Sequence, residues 1–324
     1  MRLTRRIVVG ALAIVACAGP ALAQDAWPSK PITYVVPFPP GGNTDTLARL
    51  IAPKLSAALG QPIVIENKPG AGGNIGSDFV AKAKPDGYTI LGGTISSHAI
   101  NASVYPKLPY DVLKSFEPIV MIGTSPLILV TNPSLPYKSV QDVIAAAKAK
   151  PGDLTFASAG NGTSPHLAGE LFKIAAGVNM QHIPYKGSGP AVTDVVAGHV
   201  PLMFDSSLIV GSHVKAGKLR AIAVSSDKRM ESFPDVPTVA ESGIKDFSAQ
   251  TWQAVFAPAG TPKAIVERLN KEFAAAMKDP EVAQRLKDLD VNVDGRPPET
   301  LATFQKGEVE KWAKVVKEAG VKPD

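Results

Sequence analysis

Twice in the first hundred residues a short apolar run is followed by a turn and then by apolar residues at helical spacing, and a third run begins the unit again. ITYVVPF from Ile32 leads through the turn at 39–43 into 44–59, where Leu47, Leu50, Ile51 and Leu55 share one face and Asn43 or Thr44 can cap the start. PIVIE from Pro62 leads through the glycine turn at 70–76 into a helix containing Phe79 and Val80. YTILGG from Tyr88 then begins the unit again, and its strand ends near Ser96, Ser97 and His98. A chain that alternates in this way is expected to build a mostly parallel sheet with helices on both faces, so the fold class is α/β.

A second series follows. Two apolar runs, 117–123 and 126–132, lie almost back to back, and a connection at 133–138 precedes helix 140–150, strand 154–157 and a helix from Pro165. Strand 180–185, helix 191–198, strand 202–204, helix 208–216 and strand 220–225 complete it. TWQAVFAPAG from Thr251 reads as a strand, and helices reaching Lys278, at 280–289 and at 298–318 either form a third unit or return to the first. A mature chain of about 300 residues exceeds a typical domain of about 100 to 200. Two lobes are therefore expected, 24–125 with 252–324 and 126–251, joined by hinge crossovers near 124–132 and 248–256. Ligands of open α/β sheets sit at the carboxyl ends of strands, so the turns of both lobes should face one cleft.

The N-terminus reads as an export signal: Arg2, Arg5 and Arg6, an apolar run at 7–16, then Pro20 and Ala21-Leu22-Ala23. Cleavage after Ala23 would remove three arginines and take the formal net charge from +5 to +2. With no basic cluster elsewhere, nucleic acid is excluded as a partner. The single cysteine, Cys17, lies in the signal, so the mature chain is expected to have no disulfide and no thiolate. A lipoprotein anchor through Cys17 is conceivable, but Ala21-Leu22-Ala23 is the better-formed site, so release into the periplasm is expected. Arg5-Arg6 leaves twin-arginine and general export both open.

The stretch SAGNGTSPH, 158–166, has the chemistry of an anion-binding turn. It sits where a strand becomes a helix, and Gly160 and Gly162 allow the backbone to come close to a ligand. Ser158, Thr163 and Ser164 add hydroxyls; a plain helix cap would need only one of them. Other neutral donors cluster at strand ends, in Ser96-Ser97-His98, in Tyr185 to Gly189 and in Asp205-Ser206-Ser207. Such groups can hold a buried carboxylate without a formal countercharge. Asp205 suits a ligand amine or a water, and equally a brace for its own loop.

Enzyme readings fare worse. GAGGNIG at 70–76 fails the G-x-G-x-x-G spacing because Ile75 stands where the third glycine should be, so no cofactor is expected. No G-x-S-x-G occurs, although a Ser164/His166/Asp205 hydrolase triad can be drawn. His166 and Glu170 are one helical turn apart, but no H-E-x-x-H appears and no metal site is expected.

The chain resembles the Bug family, the periplasmic solute-binding components of tripartite tricarboxylate transporters. The resemblance covers essentially the whole mature chain. It is carried by PFPPGGNTDTLAR from Pro37, ENKPGAGGNIGSDFVAKAKPDGYT from Glu66, LPYD from Leu108, SAGNGTSPHLAGELF, HIPYKGSGPAVTDVVAGHV from His182, AGKLRAIAVSS from Ala216, PDVPTVAESG from Pro234 and APAGTP from Ala257. It implies a two-lobe, Venus-flytrap binding protein of the type II kind, monomeric, with the C-terminal helices packed on the first lobe. It also implies a ligand carboxylate held between the loop at 37–43 and the turn at 158–164, and delivery to a membrane permease. The expected contacts are Phe38, Pro40, Gly41, Gly42, Asn43, Ser96, His98, Ser158, Gly160, Asn161, Thr163, Ser164, His166, Tyr185, Gly187 and Asp205. The solute could be a dicarboxylate, a tricarboxylate, an acidic amino acid or an aromatic carboxylate. A sensor that binds the same solutes for a signalling partner is the alternative role.

Overall fold

In the computed structural model residues 27–322 are described; the export signal, its cleavage site and Cys17 lie outside them. The first alternating units form as the periodicity requires. β1 (Ile32–Val36) pairs in parallel with β2 (Ile63–Asn67) on one side and β3 (Thr89–Thr94) on the other. Between β1 and β2, α1 (Asn43–Leu59) buries Leu47, Ile51 and Leu55 and stops at Gly60, whose positive φ closes the helix end. α2 (Asn74–Ala81) follows β2. After β3 the chain does not pass straight into a loop: Ser96–Ile100 forms a π-helical turn that runs into α3 (Asn101–Val104). That turn is too short to leave a periodic signal in the sequence.

The two apolar runs expected at 117–123 and 126–132 are one strand, β4 (Phe116–Thr131). The polar interruption at Gly123, Thr124 and Ser125 does not break it, because those residues pair with Gln253, Trp252 and Thr251 of β9 (Gln250–Pro258). A ladder held by main-chain bonds is indifferent to the side chains that interrupt the pattern. Beyond β4, α4 (Val140–Ala149) starts at a capping box between Ser139 and Asp142. β5 (Thr155–Ser158), α5 (Ser164–Ala176), β6 (Gln181–Pro184), α6 (Ser188–Ala197), β7 (Leu202–Ser206), α7 (Ser207–Lys215) and β8 (Arg220–Val224) repeat the alternation.

Parallel pairing is confined to β1 with β2 and β3, and to β5 with β6 and β7; every pairing made by β4 or β9 is antiparallel. The mostly parallel sheet expected from the alternation is therefore a mixed one. The cause is the path of the chain: β4 leads out of the first lobe and β9 leads back beside it, so the two run in opposite directions. The strand order is β2-β1-β3-β9-β4-β7-β5-β6, with β8 and the two-residue β10 (Asn292–Val293) also on β4.

Alternate side chains fill cores on both faces of each lobe. Ile32, Tyr34 and Val36 point into one core and Val35 into another; Leu127 and Leu129 of β4 enter a third, Ile128 and Val130 a fourth. The C-terminal helices return to the first lobe. α8 (Lys263–Lys278) packs on α1 and β4, α9 (Pro280–Asp288) on α8, and α10 (Pro298–Ala319) on β4 and α3, where the Glu308 carboxylate accepts from the indole N–H groups of Trp252 and Trp312.

Candidate functional site

Four helices begin at one cavity between the lobes. Gly42, Thr163, Gly187 and Ser206, the residues that precede α1, α5, α6 and α7, all line it, and none makes a side-chain capping bond to its helix. The first amides of a helix have no partner within it, and the aligned peptides place about half a positive charge at each N-terminus. The cavity offers water-molecule centres about 110 Å³, several times the roughly 10–15 Å³ that one water needs. Among the described residues that line it there is no Lys, Arg or His; Asp205 is the one charged side chain.

On the first lobe, Phe38, Pro40, Gly42 and Asn43 line the cavity, joined by Pro39 and Thr44. Gly41 lies behind them: its φ of +78° turns the loop, and its N–H donates to Asp45 Oδ2 at 2.9 Å. Asp45 also receives Arg49 Nε and Asn67 Nδ2, and Asn67 Nδ2 bonds the Phe38 carbonyl. Burial pushes the Asp45 carboxyl up, but the bonds from Arg49, Gly41 and Asn67 outweigh it and hold its pKa below the usual value. The GAGGNIG turn serves packing here. A Cβ on Gly73, at φ +95°, would come within 3.1 Å of the Phe38 ring, and one on Gly76 within 2.8 Å of Pro37.

On the second lobe, Thr163 and Ser164 line the cavity while Ser158, Gly160, Asn161 and His166 stand behind them. The hydroxyls of Ser158 and Thr163 are already committed. Ser158 Oγ bonds His182 Nε2 at 2.6 Å and accepts the Gly160 N–H, and Thr163 Oγ1 donates to the Gly160 carbonyl at 2.6 Å. The imidazoles of His166 and His182 stack 3.7 Å apart. His166 Nδ1 accepts the Gly162 N–H, which leaves its Nε2 to face Glu170 at 3.7 Å. Burial, then the neighbouring charges of His166 and Lys173, bring the His182 pKa down to about 3.

Gly187 and Asp205 line the cavity; Tyr185 does not, and its hydroxyl donates to Asp194. Ser96 lines it from the first lobe and accepts the Ser164 N–H across the gap at 3.3 Å. His98 is fully buried below, stacked 4.0 Å from Phe256, and burial lowers its pKa to about 3. The lobes also touch outside the cavity. A Cβ on Gly72 would lie 3.0 Å from the Asn161 carbonyl, and one on Gly162 only 2.6 Å from Asn101 Oδ1.

Sequence reasoning missed Thr44, Thr94, Leu127, Thr251 and Gln253. The last two come from β9, more than 200 residues from Thr44, yet Thr44 Oγ1 donates to Gln253 Oε1 at 2.9 Å. No local pattern announces such a pair. Ser188 and Ser206 lay in the donor-rich stretches and were legible there. The Ser164/His166/Asp205 triad does not assemble: one His166 nitrogen takes the Gly162 amide and the other faces Glu170, so neither serves Ser164.

The family model described as "Tripartite tricarboxylate transporter family receptor" matches residues 47–321. Protein BugT of Bordetella pertussis is 41% identical over 324 residues, covering 99% of each chain. Among solved structures, the R. palustris protein Rpa4515 with adipate matches with a TM-score of 0.89 and 38% identity, covering 92% of this chain and all of that one. MatC from Rhodopseudomonas palustris with bound malate matches with a TM-score of 0.86 and 35% identity, covering 90% and 100%. The resemblance to the Bug family is thus borne out, and the relatives are binding proteins, not enzymes. The chain belongs to the tripartite tricarboxylate transporter receptor family, whose members are periplasmic solute-binding proteins.

Proposed function

We propose that this protein is exported, with cleavage after Ala23, and captures a small carboxylate between its lobes as a monomeric receptor for a tripartite tricarboxylate-type permease. The observation that carries the reading is the convergence of four uncapped helix N-termini on a cavity with no basic side chain among the described residues that line it. Backbone N–H groups and dipoles favour an anion there, each helix contributing about 0.3 to 2 kcal/mol according to burial. Adipate and malate in related structures belong to the same chemical class.

The first lobe then comprises 24–125 and 252–324, and the second 126–251. Rotation occurs where β4 and β9 pass between them, at 124–132 and 248–256. A ligand that touches both lobes binds the closed arrangement better and shifts the population toward it. No helix among the described residues is long and apolar enough to cross a membrane.

The test is a thermal-shift screen of the protein against small mono-, di- and tricarboxylates, with calorimetry on each hit. At least one acid in excess should raise the melting temperature by mass action. No shift with any carboxylate would overturn the reading.

A further inference from the structure

Three cavity-lining residues keep a buried polar atom without a hydrogen-bonding partner: Asn43 Oδ1, Asp205 Oδ2 and Ser206 Oγ. Asp205 is the unusual one. It is 4% exposed, and its Oδ1 is satisfied by the Ser206 N–H at 2.7 Å, while Oδ2 is left over. An ionised carboxylate only accepts hydrogen bonds. A second anion placed beside it, in a cavity with no basic side chain, would be repelled unless a donor stood between them.

Resting on the carboxylate reading above, we propose that Asp205 selects the ligand: the bound acid carries a hydroxyl or ammonium group beside its carboxylate, and that group donates to Asp205 Oδ2. Asp205 immediately precedes Ser206, the residue before α7, and both line the cavity; the proposal places the carboxylate at this helix N-terminus and its neighbouring carbon beside Asp205. A 2-hydroxy or 2-amino acid fills both positions at once, whereas an unsubstituted alkyl diacid leaves Oδ2 empty-handed and facing a like charge. Burial is what brings the Asp205 pKa up to about 6; the nearby Ser188 and Ser206 hydroxyls and the Ser206 amide only partly oppose it, and neither hydroxyl is placed to bond Oδ2.

The experiment is calorimetric titration of the protein and of Asp205→Asn with two matched series: succinate, malate and aspartate; adipate, 2-hydroxyadipate and 2-aminoadipate. In at least one series a substituted acid should bind about ten- to hundredfold more tightly than its plain parent, as expected for one charge-assisted hydrogen bond. In Asp205→Asn that gap should close, while the plain parent binds more tightly than it does to the unaltered protein, because the like charge is gone. Asn keeps an Oδ1 for the Ser206 amide, and the gain for the plain acid separates lost selectivity from lost folding. The comparison in the unaltered protein stands even without the variant. Plain acids binding as well as their substituted partners in both series, or a gap that survives in Asp205→Asn, would overturn the inference and leave the carboxylate reading intact. Failure of all six acids to bind overturns the inference; failure of the wider screen as well overturns the carboxylate reading.

Discussion

The two jaws of the cavity are braced by different chemistry. Behind the first-lobe loop stands a charged cluster, Asp45 with Arg49, Asn67 and the Gly41 amide, whose Arg49 side chain is half exposed. Behind the second-lobe turn stands an imidazole stack, His166 on His182, tied to the turn through Ser158 and the Gly162 amide. One buried carboxylate carries the first jaw, and several hydrogen bonds share the second. The first should fail all at once when its centre is removed; the second should fail by degrees, and with pH.

Asp45→Ala sharpens this contrast most. It strands the Gly41 and Asn67 donors and leaves Arg49 unpaired, so unfolding in denaturant should show a loss of about 3 kcal/mol, with weaker ligand binding; a loss under about 1 kcal/mol would show that the loop holds itself. Acid should act on the other jaw. His182 is neutral in the fold, with its pKa lowered to about 3, against about 6.5 when unfolded. Its contribution is complete above the unfolded value and drains away as pH falls towards 3, so His182→Gln should remove about 1 to 2 kcal/mol of the stability lost between pH 7 and 4.5. The remaining slope would include His98, depressed in the same way. An unchanged slope in the variant would break the comparison.

Thr163→Val deletes the bond to the Gly160 carbonyl and should cost about 1 kcal/mol of stability. Its effect on ligand affinity should be no larger, because that hydroxyl's proton is already given to the backbone; a larger loss in calorimetry would mean that the hydroxyl meets the ligand. Arg49→Gln is the smallest change expected, about 0.5 kcal/mol or less, since a half-exposed ion pair is well screened. A loss near that of Asp45→Ala would make Arg49, not the carboxylate, the centre of the first jaw.

Much of the site could be read from the chain because a strand, a glycine turn and a helix are local events. Gly42, Thr163, Gly187 and the Asp205-Ser206 pair each stand where an apolar run gives way to helical spacing. What the sequence hid depends on partners far along the chain. Gln253 reaches Thr44 only because β9 returns beside β3 and β4, and the polar stretch Gly123 to Ser125 looked like a break because its ladder partners lie over 120 residues away. His166 and Ser158 stand behind the turn, and the partners that put them there, the Gly162 amide and the distant His182, leave no local pattern.

The glycines that let the lobes touch outside the cavity bear on a separate property, the solute concentration at which the receptor responds. Gly72 against the Asn161 carbonyl and Gly162 against Asn101 line no cavity, yet under the proposed closure of the lobes their close approach would help to decide how often the empty receptor is shut. Apparent affinity scales with that fraction. A bulkier residue at either position would prop the lobes apart and raise the concentration needed for half-occupancy while leaving the order of preference among solutes unchanged. On the closure and selection proposed above, threshold and choice would be written in different residues, and each could drift without the other.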